Sequence, residues 1–146
     1  MTTTFTTKSY AETQKIGTEF SKKVKNGGIL ALYGNLGSGK TTFTQGVAKG
    51  LGIKQKIISP TFIIVRKYDT NLKSSVPSLN YFYHIDLYRI EKATDIKGLG
   101  LEEILNDKSN IVAVEWPEKI ESLLPKNTIK LKFKYLENDE REIEIT

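Results

Sequence analysis

The sequence predicts an α/β fold: a central, mostly parallel sheet flanked by helices, with antiparallel hairpins at its edges. Three observations carry this. Residues 29–33 and 111–114 are short, continuous apolar runs, the mark of strands buried on both faces. A glycine-rich loop at 34–39 joins the first run to a stretch with helical spacing, giving strand, loop, helix. Toward the C-terminus, apolar and charged residues alternate with the period of a half-exposed hairpin.

The elements follow in order. The N-terminal threonines read as a short edge strand. Ser9 and Glu12 form the pattern of a capping box, in which Ser9 accepts from the N3 amide and Glu12 reaches back. Ile16, Phe20 and Val24 then fall four apart, one stripe of a helix that stops at Asn26-Gly27-Gly28. After the glycine loop, Phe43, Val47 and Leu51 keep helical spacing until Gly50 and Gly52 close that helix. Residues 62–68 and 81–87 are rich in β-branched and aromatic types and pair as a hairpin across a long loop containing Pro77. A short helix follows at 101–106, and Pro117 suits the first position of another after Trp116. In the terminal hairpin Ile129, Leu131, Phe133 and Tyr135 share one face with Ile143 and Ile145. Lysines 130, 132 and 134 lie opposite Glu142 and Glu144 on the other.

At 146 residues and 38% hydrophobic the chain is expected to be one domain with a real core, residues 1–146. No run approaches the roughly 18 apolar residues of a membrane span. The first residues lack the pattern of a signal peptide, so a soluble cytoplasmic protein is expected, with no membrane partner. The lack of cysteine excludes disulfide partners and thiolate chemistry, and a single histidine excludes a His-rich metal site. Charge runs from +5 over residues 1–50 and +4 over 51–100 to −4 over 101–146. A basic front suits an anionic partner, yet 19 of the 22 basic residues are Lys. Base readout favours Arg, so a solvated lysine surface is the better reading.

Gly34-Asn35-Leu36-Gly37-Ser38-Gly39-Lys40-Thr41 fits G-x-x-x-x-G-K-[ST] without a mismatch. Such a loop wraps backbone N–H groups around phosphates, which glycines permit by reaching positive φ. The helix that starts near Lys40 aims its positive end at the same anion. Lys40 neutralises β- and γ-phosphate charge and the Thr41 hydroxyl serves Mg²⁺. Chance would produce the motif in roughly 2% of chains of this composition, and the flanking strand and helix cut that further. The fold expected is therefore a single P-loop NTPase-like domain that binds a nucleoside triphosphate.

A P-loop also needs a carboxylate at the end of a neighbouring apolar strand. Glu115 after 111–114 and Asp86 after 81–85 both qualify. His84, on the same strand face as Asp86, reads as a packed histidine. Asn-Lys-x-Asp is missing, and Asp95-Ile96-Lys97-Gly98 follows no apolar strand, so ATP is favoured over GTP. Arg66 and Arg89 are candidates for an activating arginine in cis, with a partner protein the other possible source.

Residues 34–42, Ser59-Pro60-Thr61-Phe62, His84-Ile85-Asp86-Leu87-Tyr88-Arg89 and Val114-Glu115-Trp116-Pro117 resemble, in order and spacing, the TsaE family, formerly YjeE. These are small bacterial ATPases of tRNA threonylcarbamoyladenosine biosynthesis, and the resemblance spans essentially the whole chain. It implies that Asn35, Leu36, Gly37, Ser38, Gly39, Lys40, Thr41 and Thr42 cradle the triphosphate. Thr41 and Glu115 would ligate Mg²⁺, and Lys40, Asp86 and Glu115 would serve hydrolysis. Residues 59–62 would be a switch segment with Thr61 its γ-phosphate sensor. Trp116 would sit beside metal and nucleotide, and Tyr10 where the family approaches the base. The chain departs from common versions at Asn35 and Ser38, positions expected to contribute mainly backbone N–H groups.

The resemblance further implies association with TsaB and TsaD, and through them contact with tRNAs reading codons that begin with A. ATP hydrolysis would reset that assembly between rounds, slowly when the protein is alone. Two other classes stay open on the residues themselves: a small-molecule P-loop kinase, and a scaffold that holds nucleotide without turnover.

Overall fold

The computed structural model describes residues 2–58, 64–70 and 81–146. Its strands are β1 (Thr3–Thr7), β2 (Gly28–Tyr33), β3 (Val65–Asp69), β4 (Tyr81–Asp86), β5 (Ile111–Glu115), β6 (Ile129–Tyr135) and β7 (Arg141–Ile145). The helices are α1 (Tyr10–Val24), α2 (Lys40–Gly50) and α3 (Leu101–Asn106), with 3₁₀ turns at Ala93–Ile96 and Pro117–Leu123. Among the described residues the strands form one sheet in the order β1-β7-β6-β2-β5-β4-β3. The four central strands run parallel, while β3–β4, β6–β7 and β1–β7 pair antiparallel at the edges. Among the described residues no helix is long and apolar enough to cross a membrane.

The alternation of side chains divides the core between the two faces of this sheet. Leu30 and Leu32 of β2 meet Phe20 and Val24 of α1 and Phe43 and Val47 of α2 on one side. Ile29, Val112 and Val114 meet Leu101, Leu105 and Ile120 on the other. Phe43 is the pivot of the first layer, packed edge-on to Phe133 at 5.4 Å and tilted against Phe20 at 5.8 Å. Burying a side chain of that size contributes about 1.5–3 kcal/mol. Helices α1 and α2 touch almost backbone to backbone. A Cβ on Gly46 would lie 1.9 Å from the Gln14 carbonyl oxygen, and the Thr18 hydroxyl donates to the Gly46 carbonyl at 3.0 Å.

Most of the expected elements stand where the patterns put them, including the N-terminal edge strand and the hairpin pairing of β3 with β4. Lys132 faces Glu144 and Lys134 faces Glu142 in the terminal hairpin, as alternation requires. Pro117 opens its turn at the first position.

Three details differ. Ser9 does accept from the Glu12 amide at 3.1 Å, but the Glu12 carboxylate takes the Lys8 amide at 2.6 Å instead of the Ser9 amide. That amide is the donor offered at the corner where β1 turns into α1. Tyr135 is half exposed, because the alternation of β6 continues past the end of the core; the ring instead lies under Arg141, 4.6 Å from the guanidinium carbon. The upstream strand begins at Val65 among the described residues and runs on to Asp69, one residue into the expected loop. Residues 59–63 and 71–80, with the expected switch segment, Thr61 and Pro77, lie outside the described residues.

Candidate functional site

The site lies at the C-terminal ends of the parallel strands, where an open α/β sheet places its ligands. Strand β2 stops at Tyr33 and the chain turns through Gly34, Gly37 and Gly39, with φ of 148°, 77° and 105°. At Gly34 a side chain would also collide, its Cβ coming within 2.7 Å of the Phe133 carbonyl oxygen. Gly39 caps α2 in a left-handed conformation and supplies no side-chain acceptor. The first-turn N–H groups of α2 are thus left to an incoming anion. Asn35, Leu36 and Gly37 form the exposed crest of the loop, whereas the Ser38 side chain is buried beneath it.

Lys40 is buried to 4% exposure. Its ammonium donates to the Gly34 carbonyl and stands 3.8 Å over the Trp116 ring. Burial lowers its pKa, and the carboxylates of Glu115, Asp86 and Glu118 work in the opposite direction. Trp116 turns its ring into this position with a left-handed backbone, φ 61° and ψ 47°, and leans on Tyr88 at 5.2 Å. A non-glycine residue held there is costly and persists only where its surroundings fix it.

Registry brings the two carboxylates together. In the parallel ladders Glu115 is opposite Leu32 on one side and Asp86 on the other, so both acids stand at strand ends beside the loop. Thr41 Oγ1 donates to Glu115, 3.2 Å from each carboxylate oxygen. His84 Nε2 is 2.5 Å from Glu115 Oε2, with both residues buried. The Asp86 carboxylate accepts from the Tyr88 amide at 3.0 Å. Asp86, Glu115, Lys40, Thr41, Thr42 and Trp116 line one cavity of about 380 Å³ together with the loop.

Tyr10 lies apart from that cavity. It is exposed on the first turn of α1, donates to Gln45 Oε1 at 2.5 Å, and lines a separate hollow with Gln14, Lys49 and Lys56. Two residues beside the site have no site role in the sequence reading. His84 reads as a packed aromatic-strand residue, and the one available signal was a polar group in an otherwise buried strand. Arg141 lines the cavity from β7, and no local pattern announces it. Arg66 and Arg89, the arginines preferred from sequence, are both exposed and do not line the cavity.

The family model described as threonylcarbamoyl adenosine biosynthesis protein TsaE matches residues 7–143. The tRNA threonylcarbamoyladenosine biosynthesis protein TsaE of Bacillus subtilis (strain 168) is 39% identical over 135 residues, covering 92% of this chain and 79% of that protein. Its counterpart from Treponema pallidum (strain Nichols) is 32% identical over 138 residues, covering 94% and 96%. Among solved structures, the crystal structure of Bacillus subtilus YdiB superposes with a TM-score of 0.74 at 32% identity, covering 99% of this chain and 84% of that one.

Proposed function

The chain belongs to the TsaE family of tRNA threonylcarbamoyladenosine biosynthesis proteins, and we propose that within this pathway it acts as a Mg²⁺-dependent ATPase. The observation that carries the reading is the contact between Thr41 and Glu115. It joins the phosphate loop to a carboxylate on the neighbouring parallel strand.

The residues suit the metal. Mg²⁺ takes hard oxygen donors and is commonly held by one or two carboxylates plus substrate phosphates. Thr41 and Glu115 offer that set, and among the described residues no cluster of three His, Cys, Asp or Glu forms a cage of its own. When bound there, the ion supplies Lewis-acid polarisation of phosphoryl oxygens.

The chain's own groups do the rest. Loop amides and the N-terminus of α2 hold the triphosphate. Lys40 exchanges the Gly34 carbonyl and the Trp116 ring for phosphate oxygens, carrying its charge to where negative charge develops. Asp86, anchored by the Tyr88 amide, orients the attacking water and holds its proton. Phosphoryl transfer asks little more of a protein than positioning and charge neutralisation. Absence of Asn-Lys-x-Asp from the sequence supports adenine over guanine.

In this reading hydrolysis resets a TsaB–TsaD assembly in the cytoplasm, and tRNA is met through that assembly. The test is ATP hydrolysis with Mg²⁺, alone and with purified TsaB–TsaD, beside Lys40→Ala. Slow turnover that rises with the pair and disappears in the variant is expected. Turnover indifferent to the pair would remove the partner assignment, and intact ATP throughout would remove the ATPase.

A further inference from the structure

Arg141 is the first residue of β7, paired with Thr7 on one side and Tyr135 on the other. It is therefore a residue of the sheet, held on both flanks. Its side chain leaves the sheet over the Tyr135 ring and runs toward the phosphate loop. Arg141 Cδ and Nε lie 3.5 Å from the position a Cβ on Gly39 would occupy. The Thr13 methyl lies equally close to that point, so the guanidinium approaches the loop from the α1 side.

The chemistry at its end is unfinished. Arg141 Nη1 is buried and meets no hydrogen-bond acceptor among the described residues. A guanidinium cannot escape that need by losing its proton, and it accepts nothing. Its acceptor has to come from beyond the described residues. The same cavity contains the first-turn amides of α2, donors of the same kind beside the same glycine. Two sets of donors on one cavity call for an anion with several oxygens on adjacent groups.

We propose that Arg141 is a phosphate-binding residue, supplied in cis by the terminal hairpin and contacting the phosphates of the bound nucleotide beside Gly39. This rests on the nucleotide reading above and adds a residue to it. Because Gly39 is the root of the loop, Arg141 serves the binding of ATP and ADP alike. Its stack on Tyr135 restricts the side chain before nucleotide arrives, which reduces the ordering cost of the contact.

The test is binding of fluorescent ATP and ADP analogues to wild type, Arg141→Ala and Arg141→Lys. Far-UV circular dichroism and thermal melting of the free proteins accompany it. Arg141→Ala is expected to weaken both nucleotides by about tenfold to a hundredfold, the usual effect of losing a charged hydrogen bond. Arg141→Lys, which keeps the charge and loses the planar fork, should fall in between. The melting temperature of free Arg141→Ala should change little, since the variant loses the stack on Tyr135 but also removes a buried donor without a partner, whereas its increase on adding nucleotide should shrink. A folded Arg141→Ala that binds both nucleotides as wild type does would overturn the assignment while leaving the nucleotide site intact. Failure of wild type to bind either analogue would overturn the site itself, and the assignment with it.

Discussion

The Glu115 carboxylate accepts a 2.5 Å hydrogen bond from His84 across the β4–β5 ladder, while Thr41 approaches the same carboxylate from the phosphate loop. One acid is thus fixed from beneath by a buried imidazole and met from above by the first turn of α2. If Glu115 holds Mg²⁺ as proposed, a partner behind its carboxylate sets its orientation and basicity.

Replacing His84 should therefore act on the metal more than on the nucleotide. His84→Ala is expected to raise the Mg²⁺ concentration needed for hydrolysis by about 10–100-fold. Nucleotide binding without Mg²⁺ should stay near wild type. Leaving a buried carboxylate short of a donor should also cost about 1–3 kcal/mol in stability. His84→Gln, which keeps an N–H donor, should recover part of both. Identical Mg²⁺ midpoints for His84→Ala and wild type would show that the imidazole only fills space.

Asp86 and Glu115 are neighbours in register, yet their contacts differ, as do the roles proposed for them. Glu115 contacts Thr41, whereas Asp86 is held by the Tyr88 amide. Asp86→Asn preserves shape and removes the proposed base, so hydrolysis should fall about 10²-fold or more while ATP affinity changes little. Glu115→Gln should damage Mg²⁺-dependent binding as well. Steady-state hydrolysis paired with equilibrium binding separates the two patterns, and an active Asp86→Asn would remove Asp86 from the chemistry.

What was legible in the sequence is what depends on near neighbours. The buried run at 29–33, the glycine loop and the spacing of Phe43, Val47 and Leu51 sit side by side in the chain, and they announce the strand, the glycine turn and the helix that follows it. The pairs Lys132–Glu144 and Lys134–Glu142 follow from alternation across one hairpin. His84 with Glu115 and Arg141 with Gly39 do not, because strand order decides them. Only when β6 and β7 are laid beside β2 does Arg141 reach the root of the loop. Alternation also misled at Tyr135, since it states which face a residue is on and not where the core ends.

Close approach of α1 and α2 makes Gly46 a sensitive position. Alanine is the better helix former by about 1 kcal/mol, so an open site would gain from Gly46→Ala. Here the added methyl would meet the Gln14 carbonyl oxygen at 1.9 Å, and the nearby Gly17 is equally closed by the Phe43 carbonyl oxygen at 2.2 Å. Backbone cannot step aside as a side chain can, so overpacking should win and cost about 1–3 kcal/mol net. The expected fall in melting temperature is roughly 3–12 °C. Nucleotide affinity should decline too, because α2 carries the loop. A variant that melts at or above wild type would mean that the helices are not this close.

At the end of β2, Tyr33 donates to Glu121 Oε2 at 2.7 Å, and Lys130 donates to Glu121 Oε1 at 2.7 Å. Burial, then the Glu121 hydrogen bond and its charge, push the Tyr33 phenol well above its ordinary value of 10.0. A folded pKa raised above the unfolded one gives stability that is complete below about pH 10 and is lost as pH rises through the folded value. Wild type should therefore lose more stability than Tyr33→Phe as pH climbs above 10, as read by urea denaturation. Glu121 behaves with the opposite sign. Its hydrogen bonds from Lys130 and Tyr33 hold it below the usual carboxylate range, so its contribution fades as pH falls through that depressed value. That acid limb should be slight, because Glu121 and Lys130 are each nearly half exposed. Burial raises Tyr68 as well, so two phenols should ionise late in a phenolate absorbance titration. Glu121→Gln should bring one of them back toward the ordinary range and leave the other in place. A titration curve unchanged by Glu121→Gln would show that the carboxylate does not control Tyr33.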